Sequence, residues 1–230
     1  VVSIFVNPTQ FGPEEDFDRY PRSFEKDCRM AEETGATLIF NPRREDLYGD
    51  NFQTYVTLEK LPAHLCGLSR PVFFRGVATV VTKLFNIVKP HAAVFGEKDF
   101  QQLQVIRRMV RDLDLDVTII GAPLVREPDG LAMSSRNAYL SDSERRQALS
   151  LCRSLESARK MVSDGERRAD KLIDTARELI DAQPDATIDY IAVCDPATLE
   201  NVTHLHQPAL MALAVKVGTT RLIDNMMLNP

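Results

Sequence analysis

A glycine, three charged residues and two glutamines crowd into Gly96-Glu97-Lys98-Asp99-Phe100-Gln101-Gln102, directly after the apolar run Ala92-Ala93-Val94-Phe95. If that run is a strand, its carboxyl end delivers these groups to the crevice where open α/β sheets bind ligands. Glycine lets a ligand approach the backbone, a lysine balances phosphate charge, and amides offer donors and acceptors to hydroxyl and carboxylate groups. The same residues also compose an ordinary strand-to-helix turn, with Asp99 capping the helix and Lys98 solvated. Two further polar clusters have this character. Phe5-Val6-Asn7-Pro8-Thr9-Gln10-Phe11-Gly12 follows an apolar run, and its Asn7-Pro8 is either turn punctuation or a cleft edge. Asp129-Gly130-Leu131-Ala132-Met133-Ser134-Ser135-Arg136-Asn137 holds two hydroxyls and a guanidinium, a planar two-pronged donor for phosphate oxygens, or else leads into a helix.

The elements that must position these clusters follow from hydrophobic period. Val1-Val2-Ser3-Ile4-Phe5-Val6 reads as a strand, and its apolarity predicts a central place with both faces buried. A helix over residues 23–33 and a short strand at Thr37-Leu38-Ile39-Phe40 come next. Gln53 to Leu58 is a short extended excursion. Val77, Val80, Val81, Leu84, Phe85 and Val88 recur at helical spacing until Pro90. The strand ending at Phe95, a helix from Phe100 to Asp112 with Leu103, Ile106, Val110 and Leu113 inward, and the strand Val117 to Gly121 complete a βα, βα, βα, β order. That alternation predicts an α/β fold built on a doubly wound parallel sheet. Past Val125 the pattern changes. Ser141 and Glu144 form a capping box opening a long helix, Asp164-Gly165 separates it from a second helix over Lys171 to Ala182, and strands over 188–193, 209–217 and 221–223 follow without crossover helices. A first domain over residues 1–124 and a smaller α+β domain over 125–230 are expected.

Composition narrows the function. The 230 residues carry a net charge of −5 with dispersed Lys and Arg, so neither a nucleic-acid stripe nor a membrane-surface patch is predicted. No apolar run approaches the length of a transmembrane helix. Cys28, Cys66, Cys152 and Cys194 are widely spaced, which argues against a zinc site or disulfide framework and fits reduced thiols in a cytoplasmic protein. His204 and His206 lie two apart but lack a neighbouring third ligand, so no metal site is predicted there. Neither the P-loop pattern nor GxGxxG occurs.

In order and spacing the clusters resemble the pantothenate synthetase family, the pantoate–β-alanine ligases. Residues 3–11, Asp18-x-Tyr20-Pro21-Arg22, Ser69-Arg70-Pro71, Phe74-Arg75-Gly76-Val77, Lys83-Leu84-Phe85-Asn86, 96–102, 129–137 and Arg221-Leu222-Ile223-Asp224-Asn225 carry the likeness across the chain. The resemblance implies a Rossmann-like domain followed by a smaller lid domain, a homodimer, and ATP-dependent ligation of (R)-pantoate and β-alanine through a pantoyl adenylate, releasing AMP and diphosphate, with Mg²⁺ accompanying ATP. It implies that Gln10 and Gln102 bind pantoate and that Gln10 also borders the β-alanine pocket. Gly96, Glu97, Lys98, Asp99, Val125, Met133, Ser134, Ser135 and Arg136 would form the ATP site, with Lys98, Ser134, Ser135 and Arg136 catalytic.

The family's His-x-Gly-His-type segment, which carries its proton-donor histidine, would lie upstream of Val1. The chain as given is therefore expected to be a fragment, preceded by a strand and helix and impaired alone. Val72 and Phe73 stand where the family commonly has Gly-His, and Thr9 where Met is frequent. Two alternatives are a related nucleotidyltransferase, against which the neutral pair Gln10 and Gln102 counts, and an inactive nucleotide-binding fragment.

Overall fold

The computed structural model describes residues 1–13 and 15–230. Parallel pairing comes first along the chain and antiparallel pairing last. β1 (Val2–Ser3) is followed by α1 (Phe24–Glu33) and β2 (Ile39–Phe40), which runs parallel to β1 with Val2 opposite Ile39. Two single-turn helices, α2 (Arg44–Leu47) and α3 (Cys66–Ser69), lead to the long α4 (Phe73–Val88). β3 (Ala92–Gly96), α5 (Phe100–Asp112) and β4 (Thr118–Ala122) form a second parallel unit, with Ala92 opposite Thr118 and Gly96 opposite Ala122. After α6 (Asp142–Ser163) and α7 (Ala169–Asp181), the strands β5 (Ala186–Cys194), β6 (Ala209–Val217) and β7 (Thr220–Leu228) pair antiparallel in that order. The molecule is thus an α/β fold joined to a smaller α+β unit.

Local chemistry accounts for the boundaries. In α4 the stripe of Val77, Val80, Val81 and Phe85 is buried, and Lys89, in the left-handed region, ends the helix just before Pro90. α4 starts at Phe73, one turn before that stripe. At the head of α6 the Ser141 hydroxyl accepts from the Glu144 amide at 3.3 Å while the Glu144 carboxylate accepts from the Ser141 amide at 2.8 Å, the expected capping box. The turn between α6 and α7 places Gly165 at φ 103°, a conformation open to glycine.

Three apolar clusters hold the units. α6 and α7 cover the antiparallel sheet through Leu151, Leu155, Leu172, Ile180, Met211 and Leu213. Val77, Val81, Ile106 and Met109 form the core of the first unit. Leu65, Cys66, Phe74 and Val105 meet Cys194, Leu199 and Leu210 from the second, so an apolar seam joins the two.

Three details differ from the sequence reading. Strand pairing in the opening run covers only Val2 and Ser3, and Val1 and Val2 are exposed, because β1 has β2 as its single partner among the described residues. The 53–58 excursion joins no strand pairing. Leu113 is 46% exposed: α5 ends at Asp112, so Leu113 leaves the helical phase and Met109 takes the inward place. On the β3–β4 sheet, Ala93, Phe95 and Ile119 pack on the core, while Val94 and Ile120 on the opposite face are 65% and 46% exposed.

Candidate functional site

Between the parallel unit and the antiparallel sheet lies a cavity of about 1210 Å³. All three polar clusters reach it: Gln10 from the loop after β1, Lys98, Asp99 and Gln102 from the end of β3 and the start of α5, and Met133 to Asn137 from the segment before α6. Gly96, Glu97 and Val125 do not line it. No helix is long and apolar enough to cross a membrane among the described residues.

Gln10 is held by a buried asparagine. Asn7 caps the short turn Pro8–Gln10, and its Oδ1 accepts from the Thr9 hydroxyl and the Tyr48 hydroxyl, both at 2.9 Å. Its Nδ2 donates to the Gly76 carbonyl at 3.1 Å and to Gln10 Oε1 at 3.3 Å. Asn7-Pro8 is therefore turn punctuation and site support together. Thr9, one of three departures from the resembled family's pattern, contributes its hydroxyl to this network. Burial is the largest influence on the Tyr48 phenol and raises it above its ordinary value.

The loop after β3 differs from the ordinary capped turn. Asp99 occupies the position before α5, yet its side chain makes no capping hydrogen bond. Lys98 is half-buried, and among the described residues it makes no ion pair. The carbonyls of Glu97 and Lys98 accept from Asn225 Nδ2 of β7 at 3.0 and 2.9 Å. The two glutamines divide their work. Both line the cavity, but Gln101 is nearly buried and its amide is taken up, accepting from the Cys66 amide at 3.0 Å and donating to the carbonyls of Leu61 at 2.9 Å and His64 at 2.7 Å.

The third cluster hangs on a tight hairpin. Glu127 N donates to Leu131 O at 2.8 Å, Met133 N donates to Val125 O at 3.0 Å, and Gly130 at the tip has φ 99°. Ser134 Oγ then accepts from the Arg136 amide at 3.3 Å and caps the turn Ser135–Tyr139. Arg136 donates through Nε and Nη2 to Asp16 at 2.9 and 2.8 Å, and its guanidinium lies 5.2 Å from the Tyr20 ring centroid. Ser135 Oγ donates to the Tyr20 hydroxyl at 3.1 Å, and the Tyr139 hydroxyl to the Arg19 carbonyl at 2.6 Å. Burial alone would push the Asp16 carboxyl up, but the Arg136 guanidinium outweighs it and holds that carboxyl below its usual range.

Sequence reading missed this wall of Asp16, Arg19 and Tyr20. Tyr20 belonged to a quoted motif without a role, and nothing local marks Asp16 as the partner of a residue 120 positions away. Beside Asp16, Arg70 pairs with Glu15, donating from Nε at 2.7 Å, and stacks 3.9 Å from the Phe73 ring centroid. Phe73, where the family commonly has histidine, is thus the platform under Arg70. Arg221 pairs with Asp189 at 2.6 Å beside Ser69. Arg70, Arg136 and Arg221, each in an ion pair, stand with Lys98, which has none among the described residues, and with neutral amides around one cavity, a set that suits an anionic nucleotide next to a smaller polar substrate.

Comparison with known proteins agrees with this chemistry. The family model described as pantoate-beta-alanine ligase matches residues 1–227. Pantothenate synthetase of Desulfatibacillum aliphaticivorans is 64% identical over 230 residues, spanning all of this chain and 82% of the relative. That of Geobacter sulfurreducens is 60% identical over 228 residues, 99% of this chain and 81% of the relative. Among solved structures, pantothenate synthetase from Thermus thermophilus superimposes with a TM-score of 0.96 at 44% identity, over 99% of this chain and 83% of the other. Pantoate-beta-alanine ligase from Francisella tularensis, solved with beta-gamma ATP and beta-alanine, gives 0.77 at 30% identity, over 98% and 78%.

Proposed function

Because the chain belongs to the pantoate–β-alanine ligase family, we propose that its cavity joins (R)-pantoate to β-alanine at the expense of ATP by way of a bound pantoyl adenylate. A pantoate carboxylate oxygen attacks the α-phosphorus and diphosphate leaves. The β-alanine amine then attacks the acyl carbon, the acyl–oxygen bond breaks, AMP departs, and the amide nitrogen gives up a proton.

Gln10 and Gln102 bind pantoate in this reading, reading its hydroxyls and carboxylate without adding charge beside the reacting anhydride. Gln10, with its amide oxygen held by Asn7, also borders the acceptor amine. Lys98 neutralises phosphate charge. Met133, Ser134, Ser135 and Arg136 close on the nucleotide, the hydroxyls and guanidinium meeting phosphate oxygens once Arg136 exchanges Asp16 for them. Gly96, Glu97, Asp99 and Val125 shape the surrounding loops. Catalysis rests on placing two reactants in line and on stabilising charge at phosphorus. Mg²⁺ would accompany ATP and offset charge on its phosphates. Of the carboxylates lining the cavity, Asp99 is the one outside an ion pair among the described residues, so it would be the protein group available to the ion or its bound water. We assign nucleotide and pantoate binding chiefly to residues 1–124 and a lid role to 125–230, in a cytoplasmic homodimer.

The observation that carries the proposal is the convergence of Gln10, Lys98, Gln102 and Met133 to Arg136 on one cavity. AMP and diphosphate release, measured with pantoate alone and with pantoate plus β-alanine, tests it. Pantoate-dependent diphosphate release that Lys98→Ala lowers by roughly 100-fold or more is expected for a charge-stabilising lysine. Nucleotide turnover indifferent to pantoate overturns the assignment.

A further inference from the structure

Two adjacent residues of β7, Asp224 and Asn225, bind both loops that the proposed function assigns to the nucleotide. Asp224 is buried; its carboxylate accepts from Arg126 Nη1 at 2.7 Å and Nη2 at 3.0 Å and from the Asn225 amide at 2.7 Å. Arg126 Nη1 also donates to the Gly130 carbonyl at 3.0 Å, so this pair fixes the hairpin from which Met133 to Arg136 extend. Asn225 spends both hydrogens of its side-chain amide on consecutive carbonyls, those of Glu97 and Lys98.

The geometry points to Asp224-Asn225 as a positioning clamp that sets Lys98 and the Met133–Arg136 loop in one frame. Lysine has a long stem with three rotatable donors, so its reach is set by where its backbone is anchored. Two hydrogen bonds to neighbouring carbonyls restrict the peptide planes on both sides of Lys98 at once. Only a side chain with two N–H donors on one atom can do this; an aspartate at 225 would aim lone pairs at lone pairs. Asn225 touches no reacting atom in this account and acts through Lys98. The inference rests on the reading of Lys98 as a phosphate ligand.

Its test is a double-mutant cycle read by calorimetric titration of MgATP into the unaltered full-length protein, Asn225→Ala, Lys98→Ala and the double variant, with thermal unfolding of each and pantoate affinity as controls. Asn225→Ala is expected to weaken ATP by about 10-fold, as removal of a supporting hydrogen-bond partner does, with pantoate affinity and unfolding temperature nearly unchanged. Asn225→Asp weakens it further. In the Lys98→Ala background the second substitution should cost less than about 2-fold, because the groups act as one unit. Equal losses from Asn225→Ala with and without Lys98 overturn the clamp alone, as does a loss that tracks unfolding temperature and pantoate affinity. No ATP binding by the unaltered full-length protein, or full affinity in Lys98→Ala, overturns the reading of the site and the clamp with it.

Discussion

The Arg136 guanidinium and the Asp16 carboxylate meet face to face, and the pair should be visible in the acid limb of stability. Asp16 titrates below its ordinary value when folded, so its contribution is complete above the unfolded value and vanishes as pH falls through the lower, folded one. Asp16→Asn should therefore cost about 1 kcal/mol at pH 7 and progressively less as pH falls below the ordinary carboxylate range, by urea unfolding across that range. Equal stability of the two proteins at pH 7 would refute the pairing. Thiols supply a second residue-scale check. Cys66, Cys152 and Cys194 are buried, and burial pushes the Cys194 thiol up to about 12, while Cys28 is half-buried. One thiol of four should react quickly with a disulfide reagent in the native state, and all four after denaturation. Fast reaction of several thiols would contradict the packing of the seam. At this scale the meeting of Gln10, Lys98, Gln102 and the Met133–Arg136 run on one cavity was legible, because each lies in a polar cluster that stands out from its apolar surroundings in sequence. Asp16, Tyr20 and Asn225 drew no role from local pattern, since their importance comes from partners more than 100 residues away.

α4 does more than fill the core, since its first turn backs the Asn7–Gln10 bend. A Cβ on Gly76 would lie 2.4 Å from the Thr9 carbonyl oxygen and 2.7 Å from the Gln10 nitrogen, both backbone atoms that cannot swing aside. Gly76→Ala should displace Gln10 and weaken pantoate by about tenfold or more, while ATP affinity changes little. Calorimetry with each ligand decides, and unaltered pantoate binding would dissociate α4 from the site. At the head of α6, Ser141→Ala should cost about 1 kcal/mol by denaturant unfolding; no loss would mean that Glu144 alone sustains the cap. Helix existence was readable because an apolar stripe and a cap are local facts, hence the agreement on α4, α6 and the α6–α7 break. The β1 run was harder: a continuous apolar run reports readiness to pair, while the extent of a strand depends on the neighbour it pairs with. Leu113 shows the same limit, as periodicity continues past the residue where hydrogen bonding stops.

For the molecule as a whole, the outer face of β3–β4 is the anomaly. Parallel sheets are ordinarily covered on both sides, yet Val94 and Ile120 stand side by side in solvent. The chain as given should bind a hydrophobic dye and self-associate as concentration rises, and Val94→Thr with Ile120→Thr should reduce both. Dye binding unaffected by that double change would place the sticky surface elsewhere. The contacts between units also have a consequence in time. Asn225 is joined to the Lys98 carbonyl across 127 residues, so at ~5–20 residues per second a ribosome exposes it roughly 6–25 s after Lys98. During that interval the parallel unit can form its own core, but the lysine loop waits for its anchor. The nascent protein acquires shape well before it acquires a finished nucleotide site, and a chain cut short ahead of β7 would remain at that stage.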